Sequence, residues 1–399
     1  MNIDVIVIGA GPAGLAAAAA LKGLRVLVLE GQASAGKKLL LSGGGQCNVT
    51  HEGYPKDFYD HYGQGTRFVR TALSKFPPKM LRHQLSLVGV ETFAREDGKV
   101  FPKSLEAGDV LTAFFGLLKA PGTQVSYNEK VKEIKKTPEG FRVVTSVGAY
   151  SSRYVVLAAG GASYPMTGSD GSGCGLAENL GHAIVPLRPS LSPVYVTDHV
   201  LRDLSGLSFT GCTYEIHRRG QVVGKCGGDI LVTHKGFSGP GIINHARDLQ
   251  AGDHLRIVWS NQWLAMEKAL LAGGKKQVET VLAQFLAKRM AGVLCQWAQV
   301  AKGTTCAELK KDTRKKLQEA VGAFPVEIAA LGALKSAMAT AGGVSLAEVN
   351  GKTMASRLVE GLYFAGEVLD IDGDTGGYNI QWAWSSGQLA GEMIQKATS

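Results

Sequence analysis

Ile3-Asp4-Val5-Ile6-Val7-Ile8-Gly9-Ala10-Gly11-Pro12-Ala13-Gly14 begins as an apolar run and ends on three spaced glycines. The run from Ile3 to Ile8 predicts a parallel strand covered on both faces, which needs no polar alternation. Pro12 to Lys22 is alanine-rich and predicts a helix with proline in its first turn. Arg25 to Leu29 predicts the next strand, so the whole reads as a right-handed βαβ unit. In such a unit Gly9 permits the tight turn, Gly11 lets the backbone approach a pyrophosphate, and Gly14 lets helix and strand pack closely. The helix N-terminus then faces the anion. Glu30 ends the second strand, 21 positions after Gly9, where an acid accepts hydrogen bonds from ribose hydroxyls. Gly9, Gly11, Pro12, Ala13, Gly14 and Glu30 are therefore expected to hold a dinucleotide.

A second cradle lies far along the chain, in Leu362-Tyr363-Phe364-Ala365-Gly366-Glu367 and the acidic, glycine-rich loop that follows. Beyond Gly376-Gly377, the segment Tyr378 to Leu389 predicts a helix. A plain NAD enzyme has no use for a second Gly-Glu loop aimed at the same ligand. FAD is long enough to need both ends held, and an acid at position 30 suits it. Glu367 is expected to bind the ribitol hydroxyls. The helix starting at Tyr378 is expected to turn its positive end to the flavin, with Gly366, Gly376, Gly377, Tyr378, Asn379 and Ile380 near that end.

Composition sets bounds. A chain of 399 residues that is 45% hydrophobic can bury a large core. Its 52 glycines, without a repeat, fit tight backbone approaches better than disorder. Val5 to Leu21 carries no charge but is interrupted by glycines and proline, which suits a strand, turn and helix rather than a signal peptide or membrane span. Six cysteines without CxxC or zinc-ligand spacing predict no metal site and a reducing cytoplasm. The formal charge of +9 fits either surplus surface lysines or a polyanionic partner such as RNA. Between Glu267 and Lys335 twelve Lys and Arg stand against six Asp and Glu, so much of the excess lies there.

Along the chain, Gln64 to Leu87 predicts helices broken at Pro77-Pro78, and Glu91 to Phe101 predicts a hairpin turning at Asp97-Gly98. Thr123 to Tyr150 alternates as three antiparallel strands would, and Tyr154 to Ala159 predicts a further buried strand. Three prolines fall in the eight residues Pro186 to Pro193. Strand-like sequence follows to Ser260, then mostly helical sequence from Trp263 to Ala339. The order predicts an α/β protein: a discontinuous Rossmann-type domain, residues 1–189 and 340–399, with an inserted β domain, 190–261, and an inserted helical subdomain, 262–339.

Four motifs carry a family resemblance. They are Gly36-Lys37-Lys38-Leu39-Leu40-Leu41-Ser42-Gly43-Gly44-Gly45-Gln46-Cys47-Asn48-Val49-Thr50, Ala158 to Pro165 with Gly168-Ser169-Asp170-Gly171, Thr233-His234-Lys235-Gly236-Phe237-Ser238-Gly239-Pro240, and Leu362 to Gly387. Together they resemble the BaiN/YhiN-type flavoproteins, NAD(P)/FAD-dependent oxidoreductases. The resemblance implies a glutathione-reductase-like FAD domain with an inserted β-barrel-like domain and a small helical subdomain. It implies an enzyme holding FAD and receiving NAD(P)H as a transient reductant. Some members are linked to reduction of a uridine in large-subunit ribosomal RNA to dihydrouridine, others to bile-acid dehydroxylation. Lys38, Ser42, Gly43, Gly44, Cys47, Asn48, Val131, Ala159 and Gly160 join the expected cofactor contacts. Gln46 stands where the family pattern has arginine, which predicts one cation fewer near the flavin.

A flavin carries the redox chemistry, so the protein need supply only position and a proton. Cys47 is one candidate proton donor, with a buried inert thiol as the alternative. His234 is the other, with a structural histidine as the alternative. Gly171 to Gly175 opens a helix without following a strand, so it is read as a close-packing segment rather than a second dinucleotide fingerprint. The basic segment reads as a solvated helical face or as a platform for RNA. The leading expectation is NAD(P)H-driven reduction of a conjugated double bond, with a uridine in large-subunit rRNA as the leading substrate; the alternatives are a reductase of a small hydrophobic, steroid-like enone and a non-catalytic flavin-bearing RNA-binding factor.

Overall fold

The computed structural model describes residues 3–118 and 122–398. It forms two compact units, Met1–Ser190 with Leu334–Ser399, and Leu191–Ala333.

The first unit is a Rossmann-type α/β structure. Its main sheet runs β6 (Thr123–Ser126), β2 (Val26–Leu29), β1 (Ile3–Ile8), β9 (Ala149–Leu157), β8 (Gly140–Thr145), β7 (Val131–Thr137), and β10 (Leu362–Phe364) pairs with β9. β1 is parallel to both neighbours, with Val7 opposite Val28 and Val156. β10 is also parallel, Phe364 opposite Leu157. The inner parts of the central strands, Val5 to Ile8 and Tyr154 to Leu157, are apolar as a sheet covered on both faces requires, and Val5, Ile6 and Val7 have no exposed surface. A small sheet orders β3 (Thr50–His51), β5 (Lys99–Pro102) and β4 (Thr92–Ala94).

Two expectations need correction. Thr123–Ser126 is not the first of three antiparallel strands but a parallel edge strand on β2. Tyr150 and the run Tyr154 to Leu157 belong to one strand, β9. Alternation reports which face is buried, not strand direction, so pattern alone could not separate these arrangements.

Helices α1 (Pro12–Ala20) and α3 (Tyr378–Thr398) pack at backbone distance, with α2 (Lys37–Leu41) preceding the glycine loop. A Cβ on Gly387 would lie 2.2 Å from the Ala13 carbonyl oxygen, and one on Gly391 2.4 Å from that of Ala17. Gln388 Nε2 donates to the Ala16 carbonyl at 2.9 Å. The glycines fall four apart, on one face of α3.

The loop leading into β10 is clipped by a buried histidine. His182 Nε2 stands 2.9 Å from Ser356 Oγ, and Nδ1 3.2 Å from Glu348 Oε2. Ser356 Oγ also accepts from the Leu358 and Val359 amides at 3.0 and 2.8 Å, so its own proton goes to Nε2. Burial pushes the imidazole pKa below its ordinary value, against the pull of Glu348.

The second unit contains a closed antiparallel barrel in the order Val194–Val196, Gly236–Ser238, Gln221–Val232, Ser208–Arg218, His254–Val258, Phe324–Leu331. Its sixth strand comes from sequence expected to be mostly helical. Helices Trp263–Ala272, Val278–Leu282, Lys288–Trp297 and Lys311–Gly322 share the barrel's core, where the Trp259 and Trp297 rings lie 6.2 and 5.3 Å from Phe324. Among the described residues no helix is long and apolar enough to cross a membrane, and no three His, Cys, Asp or Glu group to hold a metal.

Replacing Gly387 with valine forces α1 and α3 apart and is expected to cost about 1–3 kcal/mol or more in chemical unfolding. Gly175→Ala, where a Cβ meets nothing, is expected to leave stability unchanged or raise it by up to about 1 kcal/mol. His182 sets a pH dependence. A depressed histidine pKa stabilises the fold above the unfolded value of about 6.5, and that contribution is lost as pH falls below it. The urea midpoint of the native protein is therefore expected to drop on acidification from pH about 7.5 to about 5. His182→Gln is expected to reduce that slope, and an unchanged slope removes His182 as its cause.

Candidate functional site

β1 ends at Ile8, and the turn into α1 is forced by contacts. Gly9 has φ +103°, and a Cβ there would meet the Ala158 carbonyl oxygen at 2.5 Å. A Cβ on Gly14 would lie 1.9 Å from the Gly9 carbonyl oxygen, so the helix can sit this close to its strand only with glycine. A Cβ on Gly11 would meet no protein atom within 4 Å. Gly11 borders an open cleft.

The cleft encloses about 1010 Å³ of atom-free space including its open mouth. Gly9, Gly11, Pro12, Ala13, Glu30, Lys38, Val131, Ala159, Gly160 and Glu367 all line it. Residues from the start, middle and end of the chain thus share one wall. The Glu30 carboxylate accepts from the Ala10 amide at 3.0 Å and the Gln32 amide at 2.9 Å, which fixes its direction.

Glu367 is held by a denser network. Lys38 Nζ lies 2.6 Å from Glu367 Oε2 and 2.5 Å from Ser163 Oγ. Glu367 Oε1 accepts from the Thr340 amide at 2.8 Å. Thr340 Oγ1 in turn accepts from the Ala162 and Ser163 amides at 2.8 and 3.0 Å. Gly366 keeps β10 close to α1, since a Cβ there would stand 2.8 Å from Ala13 Cβ. The cation beside Glu367 came from the motif at Lys38, but their pairing across 329 positions has no local sequence signal.

The other expected residues gather elsewhere. Ser42, Gly43, Gly44, Cys47 and Asn48 form the loop after α2, and Gly376, Gly377, Tyr378, Asn379 and Ile380 the turn into α3; none of these lines the cleft. The two segments meet at Thr50. A Cβ on Gly377 would lie 2.5 Å from the Thr50 carbonyl oxygen, and Thr50 Oγ1 donates to Gln381 Oε1 at 2.6 Å. Asn379 is spent on its own loop, exchanging hydrogen bonds with the Gly373 amide and carbonyl at 2.8 Å each. The Tyr378 ring is near-parallel to His61 at 4.0 Å and to His51 at 5.3 Å, and burial raises its pKa. His61 Nδ1 is 2.9 Å from Asp374 Oδ2.

Cys47 does not line the cleft. Cys47 has no exposed surface, and burial pushes its thiol up to about 12, which leaves it protonated and inert. His234 belongs to the second unit, exposed in the turn between Gln221–Val232 and Gly236–Ser238. Beside Gln46 stands another cation, since Arg95 Nη2 donates to Gln46 Oε1 at 2.7 Å.

Several lining residues were not singled out from sequence. Ser169 and Asp170 lie in the quoted Gly168–Gly171 motif and Ala383 in the stretch Leu362 to Gly387, while Gln32 and Lys130 carry no local signal. Burial alone would raise the Asp170 pKa, but bonds from Lys130, 2.6 Å away, and Ser172 hold it below the usual carboxylate range. Gly173, which opens the helix Ser172–Glu178, packs against Ala159: a Cβ there would lie 2.8 Å from the alanine Cβ. Two polar atoms are orphaned and buried, Ser169 Oγ in the cleft and Asn48 Oδ1 in the glycine loop.

Fold and cleft define a Rossmann-type α/β protein with a second, barrel-containing unit. The chain belongs to the HI0933-like family, whose Rossmann-domain model matches residues 3–393. It is 29% identical over 401 residues to a 3-dehydro-bile acid Δ(4,6)-reductase of Clostridium scindens, covering 96% of this chain and 97% of that protein. It is 30% identical over 408 residues to a ribosomal RNA dihydrouridine synthase of Haemophilus influenzae, covering 98% of each. These matches agree with the resemblance to BaiN/YhiN-type flavoproteins. Among solved structures, an open-conformation flavocytochrome c3 fumarate reductase has a similar fold, with TM-score 0.52, 17% identity, and coverage of 99% of this chain and 78% of that one.

Alkylation followed by peptide mapping tests the state of the thiols. In the native protein iodoacetamide is expected to spare Cys47 and reach the half-buried Cys306 first; Cys47 labelling before unfolding contradicts the assigned burial.

Proposed function

We propose that the protein is an FAD-dependent oxidoreductase that takes NAD(P)H as a transient reductant and reduces a conjugated C=C bond. The observation that carries this reading is that Gly11 and Glu367 line the same cleft. An ADP half needs only the first glycine turn and Glu30. A second acid from the far end of the chain is explained by a ligand with a polyol and a further ring system.

The residues present fit FAD. Gly11 leaves ligand space, two anchored carboxylates face the cleft, and two buried polar atoms lack partners. Glu30 would accept from the adenosine ribose, the first turn of α1 would hold the pyrophosphate, and Glu367, steadied by Lys38, would accept from ribitol hydroxyls. Asn48 Oδ1 and the start of α3 would meet the flavin end. Bound there, FAD would supply hydride transfer, a chemistry no side chain offers. The chain's own residues orient the cofactor and keep water from one face of it.

For the substrate, the relatives' names point to two kinds of conjugated carbonyl, a uracil ring in ribosomal RNA and a bile-acid enone. The charge of +9, concentrated between Glu267 and Lys335, favours RNA as the partner. Lys310, Lys311 and Lys315 are exposed on or beside one helix of that stretch. A small hydrophobic enone remains the second reading, on the strength of the bile-acid reductase relative. A reducing cytoplasm suits the six free thiols.

Gly11→Val is expected to abolish retention of FAD while leaving the unfolding free energy of the FAD-free protein within about 0.5 kcal/mol of that of the FAD-free parent, because a Cβ there meets no protein atom. In the native holoprotein, anaerobic NADH or NADPH is expected to bleach the flavin; persistent oxidised flavin contradicts the proposed reductase. Deletion of the gene is expected to remove a dihydrouridine from large-subunit ribosomal RNA by nucleoside mass spectrometry. If the nucleoside persists, the small-enone reading takes precedence.

A further inference from the structure

Arg95 stands at the turn of the β4–β5 hairpin, where its amide donates to the Lys99 carbonyl at 2.9 Å. Its guanidinium lies flat over Phe101, Cζ 3.8 Å from the ring centre, and Nη2 donates to Gln46 Oε1 at 2.7 Å. Phe101 is itself pressed against the glycine loop, since a Cβ on Gly43 would meet Phe101 Cε1 at 3.3 Å. β5 is bolted to the segment after the loop, Thr50 opposite Val100 and His51 opposite Lys99. A long cationic side chain is thus oriented twice, by a ring below and an amide at its edge. Orientation of this kind on an exposed arginine has little value for stability. It has value where a planar donor fork must meet an acceptor.

The loop beside it is open. Gly43, Gly44 and Gly45 all have positive φ, and a Cβ on Gly44 or Gly45 would meet nothing within 4 Å. Asn48 Oδ1 on the same loop is buried without a hydrogen-bond partner, so an acceptor is left over for a ligand donor. The guanidinium has five donors and Gln46 occupies one, so the rest of the fork is available to a ligand oxygen.

We propose that Arg95 binds the carbonyl oxygen of the substrate and stabilises the negative charge that develops on it, with Gln46 as the positioning residue that aims the guanidinium. The inference rests on the reductase reading above and names the substrate class for that site, a carbonyl conjugated to the double bond that is reduced. In that reaction the carbon β to the carbonyl receives a hydride from the reduced flavin. The π pair of the C=C bond shifts toward the carbonyl, giving an enolate oxygen that Arg95 bonds. A water proton then goes to the α-carbon, the carbonyl re-forms, and hydroxide is left to the solvent. A guanidinium bonds the enolate more strongly than the neutral ketone, which is how a fixed donor accelerates such a step.

The test uses 4-chlorophenol, whose phenolate mimics the enolate, titrated into the holoprotein near neutral pH. Its ultraviolet difference spectrum reports phenolate formation on binding, without turnover. The native protein is expected to bind the phenolate form. Arg95→Gln is expected to weaken that binding about tenfold to a hundredfold, as loss of a charge-assisted hydrogen bond does. Arg95→Lys is expected to recover part of it, and Gln46→Leu to weaken it less. Equal phenolate binding by Arg95→Gln and the native protein overturns the proposal, as does a flavin-loaded native protein that takes up no phenolate. A protein that retains no FAD in its visible spectrum, read before any phenol is added, overturns the reductase reading instead.

Discussion

The C-terminal helix lies against the first helix with no room for one side-chain carbon between them. Gly387 and Gly391 meet the backbone of Ala13 and Ala17, and Gly366 meets the Ala13 side chain. Everything at the cleft follows from that approach. It fixes the turn after β10, and so carries Glu367 to a place opposite Lys38. A bulkier seam would move the acid away from the glycine turn even if every other contact survived.

Lys38 and Glu367 are both partly buried, and neither could stand there alone at low cost, because a charge removed from water needs a partner. The network is larger than the pair: Ser163, Thr340 and two backbone amides fill the remaining bonds. At the candidate site Ser169 Oγ and Asn48 Oδ1 are buried without a hydrogen-bond partner, and each offers an acceptor to a ligand.

Much of this was legible in the sequence. Gly9 and Gly14 make the close approaches their spacing predicts, because such a turn depends on contacts a few residues away, and Gly11 and Glu30 line one cleft. Lys38 and Glu367 were both expected near the ligand, yet their ion pair was not, since only the folded sheet brings β10 beside β9. The direction of Thr123–Ser126 and the barrel role of Phe324–Leu331 were misread for the same reason: partner choice is a property of the fold, not of the segment. The bond from Arg95 to Gln46, 49 positions away, has no local signal, because only the hairpin brings the two together. Cys47 was read as a proton donor or as a buried inert thiol, and the fold buries it.

Hydrogen exchange of the protein with and without added FAD tests most directly whether the two ends of the chain form one site. Amides of residues 9–14 and of residues 366–368 are then expected to slow together on addition of FAD. Slowing confined to residues 9–14, with 366–368 exchanging as in the unliganded protein, would contradict a shared cleft.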